Sequence, residues 1–427
     1  MAWAFQTQSF NVWGSLLLYP VIIAVNAVMV WRFGLRETDR WIVGLMSVGL
    51  AAKVLGSLAR YYTIFVMYGG VGDAWKYNVY ASSQYHLWRD GYFVWESGGK
   101  LGTQNLELLT TAVYTVIGPA PLAAFLVFSS FAFWGCYLIY RAFRLAVPEG
   151  DYRLYATLVF LLPSILFWPS SIGKEAWLTF GVGLAAFGTA NIMTHRGRGW
   201  LYLLLGIVAT AMIRPHITVL LAVGILVAYS FRPVGDQAIG VLKKALGFAV
   251  MGAAVVVLTT QSADFLGIDD LNPTAVTDQI GWASGQTEQG GSTFKPVPLT
   301  NPLGIPAAIA TILFRPLPFE AHGLPMLMQS VEGLLLIWLA WKRRSHIANI
   351  FPMMRKNGYV TFSVIFALAF TIAFAGFSNF GILARQRTLM IPFAVVLLAL
   401  PPREKKTDDN KRAGRLEPAF ADSQGAA

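Results

Sequence analysis

The chain is short of charge. Asp, Glu, Lys and Arg make up 13% of its 427 residues, against roughly a quarter in a water-soluble protein. With 56% hydrophobic residues and a mean hydropathy of +0.54, it lacks the polar groups to cover a folded surface in water. That excludes a soluble enzyme and leaves lipid as the natural solvent. Cysteine is nearly absent: Cys136 stands alone, so neither an internal disulfide nor a cysteine-based metal site can form. The five histidines show no H-E-x-x-H spacing, and the chain has neither a G-x-S-x-G elbow nor a P-loop. No internal repeat is visible. The N-terminus has no basic n-region and no small-residue cleavage site, so a cleaved signal peptide is not expected.

What is abundant is apolar sequence in long runs. Runs near 14–31, 41–64, 119–140, 154–169, 176–193, 200–213, 216–231, 245–262, 324–341, 358–377 and 387–400 are candidate spans. The expected fold is therefore all-α, a polytopic transmembrane helix bundle of about eleven spans. Several runs are short for a hydrocarbon core of ~30 Å, and Pro163, Pro215 and Pro392 interrupt others. The bundle is expected to occupy residues 1–400, followed by a disordered cytoplasmic tail over 401–427 that has no apolar face.

The net charge of +11 sits mostly in short loops. No basic face spans a folded domain, so nucleic acid is not an expected partner. Arg32, Arg36 and Arg40 follow the first apolar run, which places the N-terminus outside. From there Arg141/Arg144/Arg153, Arg196/Arg198, Arg232/Lys243/Lys244, Lys342/Arg343/Arg344 and Arg355/Lys356 all fall in cytoplasmic loops, with the C-terminus. This holds only if the apolar stretch 302–314 is a half-helix or re-entrant segment on the outer side. The expected location is the inner (plasma) membrane of a cell, multi-pass, with the lipid bilayer as first partner.

Two long outer loops result, about 65–118 and about 263–302. The first is rich in Trp and Tyr and is expected to hold short interfacial helices. The second is Gly/Ser/Thr-rich, carries Asp264, Asp269, Asp270, Asp278 and Glu288, and reads as mobile.

The outer ends of the spans carry few ionisable residues, but in unusual settings. Asp73 lies in GGVGDAWKYNVYA. Lys174 and Glu175 lie in LPSILFWPSSIGKEAW. Arg214 and His216 lie in IRPH. Arg315 lies in FRPLPFEAHG, and Arg385 and Arg387 lie in SNFGILARQRTLMIP. Ionisable groups at such depth are costly unless they pair, face a wet cavity or bind a charged ligand. Any single arginine there has the ordinary reading of a snorkelling anchor. Five such junctions on the side where loop cations are sparse point to a basic pocket for an anion, a role to which the guanidinium fork is suited.

Asp73 follows Gly69, Gly70 and Gly72. A helical reading puts Lys76, Tyr77 and Tyr80 on its face. It is the candidate general base for a sugar hydroxyl, and it reads equally well as the cap of a helix beginning at Ala74. Lys53 and Glu332 lie deep inside their spans and are expected to pair with each other. No metal site is specified; a divalent metal held by Asp73 and an acidic residue of the second loop stays open.

The acidic residue in the first large outer loop with its Tyr-rich continuation, GDAWKYNVYA, resembles the GT-C class of membrane glycosyltransferases. The late RQRTLMIP segment resembles the arginine-containing last-span motif of those enzymes and of Wzy- or EpsG-type polysaccharide polymerases of bacterial envelopes. FWPSSIGKEAW and IRPH are similar to segments of envelope-polysaccharide membrane proteins. The resemblance implies a GT-C-like fold and transfer of a sugar from a polyprenyl-phosphate carrier to a glycan acceptor at the outer face. It implies a catalytic role for Asp73 and a carrier-phosphate role for Arg385 or Arg387. Lys174, Glu175, Arg214, His216, Arg315 and Tyr77 complete the candidate substrate site. Two departures keep the polymerase reading beside the GT-C one: the acid follows the second span, not the first, and it has no acidic neighbour. A lipid-linked sugar transporter or flippase, and a non-catalytic subunit of a polysaccharide assembly complex, are the alternatives.

Overall fold

The computed structural model describes residues 9–95, 100–230, 252, 293–297 and 304–403. The run 245–262 apart from residue 252, most of the loop 263–302, Arg232, Lys243, Lys244 and the tail from 404 lie outside the described residues.

The described chain is all-α. Its apolar runs are helical wherever they are described: α1 (Phe10–Gly34), α2 (Arg40–Tyr61), α5 (Pro121–Ala146), α6 (Tyr152–Leu161), α7 (Pro163–Phe167), α8 (Lys174–Met193), α9 (Gly199–Ala211), α10 (Pro215–Ser230), α12 (Leu324–Lys342), α15 (Gly358–Phe374), α16 (Phe380–Arg387) and α17 (Ile391–Ala394). The segment 65–118 holds α3 (Asp73–Arg89) and α4 (Leu101–Ile117); α11 (Gly304–Phe314), α13 (Arg344–Ile347) and α14 (Ile350–Lys356) complete the 17 helices of the described residues. Among the described residues the extended structure is a single bridge, between Thr293 and Asn379.

Among the described residues five helices are long and apolar enough to cross a membrane: α1, α2 with the π-helical turn Tyr62–Met67 that extends it, α5, α8 and α12. The pair Phe380–Arg387 and Ile391–Leu398, bent by 60°, makes a sixth as a broken span. The chain is therefore a multi-pass membrane protein. α1 turns Leu17, Val25 and Val28 outward, with 73, 54 and 57% exposure, as a helix facing hydrocarbon does.

The centre is built on close contact between small residues. A Cβ on Gly135 of α5 would lie 2.4 Å from the Thr179 carbonyl of α8, and one on Gly183 of α8 would lie 2.5 Å from the Gly135 carbonyl. Lipid tails are as apolar as leucine, so membrane helices gain by packing backbones this closely.

The helices run between two ends. At one end Glu37 pairs with Arg141 at 2.9 Å, Asp39 with Arg153 at 3.0 Å and Asp151 with Arg343 at 2.7 Å. There too Asn357 donates to the Ala146 carbonyl at 2.6 Å, and the Asp151 N–H to the Ala399 carbonyl at 2.8 Å. The arginine-rich loops thus gather on one side. α11 has 11 residues and is about 16 Å long, half of a ~30 Å core. Arg343 at the far end of α12 lies with the other basic loops.

The expected pairing of Lys53 with Glu332 is not formed. Both are fully buried, but each binds a different end of α7, the short helix that follows the break at Pro163. The Glu332 carboxylate accepts from the Ser164 N–H and hydroxyl, both at 2.7 Å. Lys53 Nζ donates to the Ile165 carbonyl at 2.6 Å and to Ser170 Oγ at 3.3 Å. A five-residue helix leaves most of its N–H and C=O groups without intrahelical partners. Inside a membrane protein those groups need partners from neighbouring helices, and the two deep charges supply them.

Candidate functional site

The other end of the bundle carries the candidate site, and its frame is the start of α8. Gly173 leads into the helix, whose first turn presents Lys174 and Glu175. The Glu175 side chain is 3% exposed and takes two guanidinium groups on one oxygen: Arg214 and Arg385, each at 3.2 Å. Arg214 comes from the turn between α9 and α10, where Pro215 opens the next helix. It also donates to Gln386 Oε1 at 2.5 Å. Arg385 comes from α16, whose N-cap Asn379 accepts from the Gly381 and Ile382 N–H groups at 2.8 and 3.2 Å.

Arg385 then reaches outward. Its Nη2 lies 3.9 Å from the Asp73 carboxylate, whose side chain is 57% exposed. Asp73 is the first residue of α3, so the N-cap position falls to Gly72, with φ +141°. The helix thus begins one residue earlier than the capping reading had it, and the carboxylate faces the arginine. One turn on, the buried Tyr77 phenol is held above its ordinary value, first by burial and then by Asp73 and Glu175. It stays a hydrogen-bond donor at neutral pH.

The first turn of α4 closes one side. Gly102 packs so tightly on the α9–α10 turn that a Cβ there would lie 2.1 Å from the Ile213 carbonyl. Asn105 donates to the Met212 carbonyl at 2.6 Å, and Lys174 Nζ to Thr103 Oγ1 at 3.1 Å. His216 lies within electrostatic reach of Arg214 and Lys174, with its ring 6.2 Å from Phe374.

The structure thus brings together Asp73, Tyr77, Lys174, Glu175, Arg214 and Arg385, with His216 at their edge. It does not bring Arg315 or Arg387 with them. Arg315 is engaged by both carboxylate oxygens of Glu320, and its guanidinium lies over the rings of Phe294 and Phe380 at 4.9 and 5.1 Å. Arg387 is fully buried. It donates to the carbonyls of Ile312 and Arg315 at 3.2 and 2.6 Å and to the Gln329 amide oxygen, with Glu332 at 3.7 Å. These two arginines hold α11, α12 and α16 together.

Two participants escape the sequence reading. Gln386 orients Arg214, and Arg60, at the end of α2, lies within electrostatic reach of Arg385 and Glu175. Arg60 satisfies the criterion that singled out the others, a cation at the junction of an apolar run with the outer boundary. Gln386 is uncharged and gives no such signal. Counting Arg60, four cations face two carboxylates, so the cluster carries an excess of positive charge.

Among the described residues no three His, Cys, Asp or Glu side chains gather as metal ligands. Asp264, Asp269, Asp270, Asp278 and Glu288, the loop acids that might have joined Asp73 around a divalent metal, lie outside the described residues. Compared with models of known families, with curated proteins and with solved structures, the chain matches none.

Proposed function

We propose that this protein is an integral membrane glycosyltransferase or polysaccharide polymerase, with a GT-C-like bundle of about eleven spans. It draws on a polyprenyl-phosphate-linked sugar at the outer face of the membrane. The observation that carries the reading is the chain of contacts Asp73–Arg385–Glu175–Arg214 at the end of the bundle opposite the basic loops. By the positive-inside rule that end faces outward.

In this reading Arg385, Arg214 and Lys174 bind the carrier phosphate, which is also the leaving group. Fixed cations aimed at the charge that develops on it are the main expected source of rate. Tyr77 donates a hydrogen bond. Glu175 holds the two arginines in place and offsets part of their mutual repulsion. Asp73, exposed and acidic, accepts the proton of the acceptor hydroxyl as that oxygen attacks the sugar. Among the described residues the deep charges Lys53, Glu332 and Arg387 each bond to the protein itself. That weighs against a transporter, which needs a site at the midplane.

The test is reconstitution into liposomes with a labelled polyprenyl-linked sugar. Transfer of label to a glycan acceptor, lost in Asp73→Asn, supports the reading. Movement of intact donor across the bilayer with no transfer overturns it in favour of a flippase.

A further inference from the structure

Arg60 is 9% exposed and lies over the rings of Phe167 and Trp168 at 4.9 and 5.1 Å. Its Nε has no hydrogen-bond partner among the described residues. Ring faces attract a guanidinium, but they present no lone pair to its N–H groups. A buried cation with donors left over is costly unless something supplies acceptors.

Beside it is a cleft of about 700 Å³ between the π-helical turn Tyr62–Met67 and the first turns of α12. Its walls are mostly apolar and include Met67 and Met326; the polar groups among them belong to Arg60, Thr63, His322, Tyr62, Tyr68 and Trp168. The rim is formed by side chains on the outside of the bundle: Tyr62, Met67 and Leu324 are 56, 60 and 77% exposed. In a chain of this composition such a surface faces hydrocarbon. The cleft therefore opens sideways toward lipid, while Arg60 stands within electrostatic reach of Arg385 and Glu175.

We propose that this cleft is a lateral binding site for a single-tailed lipid phosphate. The hydrocarbon chain lies in the cleft, and a phosphate oxygen accepts from the free donors of Arg60. The inference rests on the lipid-linked donor proposed above and names the path by which its chain reaches the cluster. One apolar cleft beside one cation matches one chain on one phosphate, which favours a polyprenyl phosphate over a two-tailed glycerophospholipid.

The experiment is native mass spectrometry of the full-length protein in detergent micelles, titrated with a polyprenyl monophosphate, with phosphatidylglycerol or with inorganic phosphate. The expected result is retention of the polyprenyl monophosphate by the wild type, an affinity about tenfold lower in Arg60→Gln, equivalent to about 1.4 kcal/mol, and partial recovery in Arg60→Lys. Ala59→Trp sits on the exposed rim and obstructs the cleft without touching a cation. It is expected to lower affinity by a similar factor, and it serves if Arg60→Gln fails to fold. Unchanged affinity in the variants that fold overturns the proposal. So does phosphatidylglycerol bound as tightly, or inorganic phosphate that displaces the lipid at equal concentration. Sugar transfer measured on the same preparations separates the two ideas. Arg60-dependent lipid binding without transfer leaves the cleft and removes the enzyme. Transfer with an unchanged donor KM in Arg60→Gln and Ala59→Trp leaves the enzyme and removes the cleft.

Discussion

Arg385 and Arg387 stand two positions apart in α16, and their guanidinium groups serve different sides of the structure. Arg385 joins Glu175 and Asp73 at the candidate site, whereas Arg387 ends among the Ile312 and Arg315 carbonyls, Gln329 and Glu332. A helix turns about 100° per residue, so neighbours at this spacing diverge by about 200°. One motif therefore does two jobs.

Substitution should separate those jobs. Arg387→Met leaves the Glu332 charge without its cation in the interior and is expected to cost about 3–5 kcal/mol. A fall in apparent Tm and in the monodisperse fraction on size exclusion would show it. Arg385→Gln keeps Arg214 on Glu175, so the fold is expected to survive while sugar transfer falls by about 10² or more. An Arg385→Gln protein with wild-type turnover would remove this residue from the chemistry.

Asp73→Asn should insert and purify normally, because the side chain is more than half exposed. Transfer is expected to fall by about 10²–10⁴, the range for loss of a general base. Wild-type transfer in Asp73→Asn would remove this carboxylate from the chemistry.

Gly102→Ala places a methyl group into the Ile213 carbonyl. Relief requires α4 to shift away from the α9–α10 turn, at a cost of about 1–3 kcal/mol. Because Thr103 is the partner of Lys174, the donor KM is expected to rise more than kcat falls. An unchanged donor KM in Gly102→Ala would remove this contact from donor binding.

Glu320 provides a test of sign with pH. Its carboxyl is held below the ordinary value, first by the hydrogen bonds from Arg315. A carboxyl lowered in the folded state contributes stability that is present above its unfolded pKa of about 4.3 and is lost as pH falls through the folded value. The Tm difference between wild type and Glu320→Gln should be steady at neutral pH and shrink below about pH 4. A difference that grows on acidification would reverse the assignment.

The deep charges offer a fifth comparison. Glu332→Gln and Ser164→Ala share a hydrogen bond and should couple by about 0.5–3 kcal/mol. Glu332→Gln and Lys53→Met touch different ends of α7 and should come closer to additive. Stronger coupling in the second cycle would restore the direct pairing that the coordinates replace.

Much of the fold was legible because hydrophobic length is a property of the sequence alone. The runs from 14–31 to 387–400 became helices wherever they are described. Charge at the ends of those runs located Asp73, Lys174, Glu175, Arg214 and Arg385. What misled was direction. Depth along a helix predicted that Lys53 and Glu332 should meet, but depth does not give azimuth, and the break at Pro163 placed unpaired backbone groups between them. Arg387 was grouped with Arg385 by proximity in sequence, although helical phase separates them. Arg315 is a candidate phosphate ligand by its place in the sequence, but Glu320, five residues on, engages it.

Glu175 is dry and Asp73 is wet, yet a single guanidinium serves both. An arriving anion cannot displace the first without stranding a charge away from water. It can displace the second at little cost, since solvent takes over the vacated carboxylate. The difference in hydration thus decides which of the two bonds to Arg385 is permanent and which is exchangeable, and a visitor that claims the exchangeable one sets Asp73 at liberty beside it.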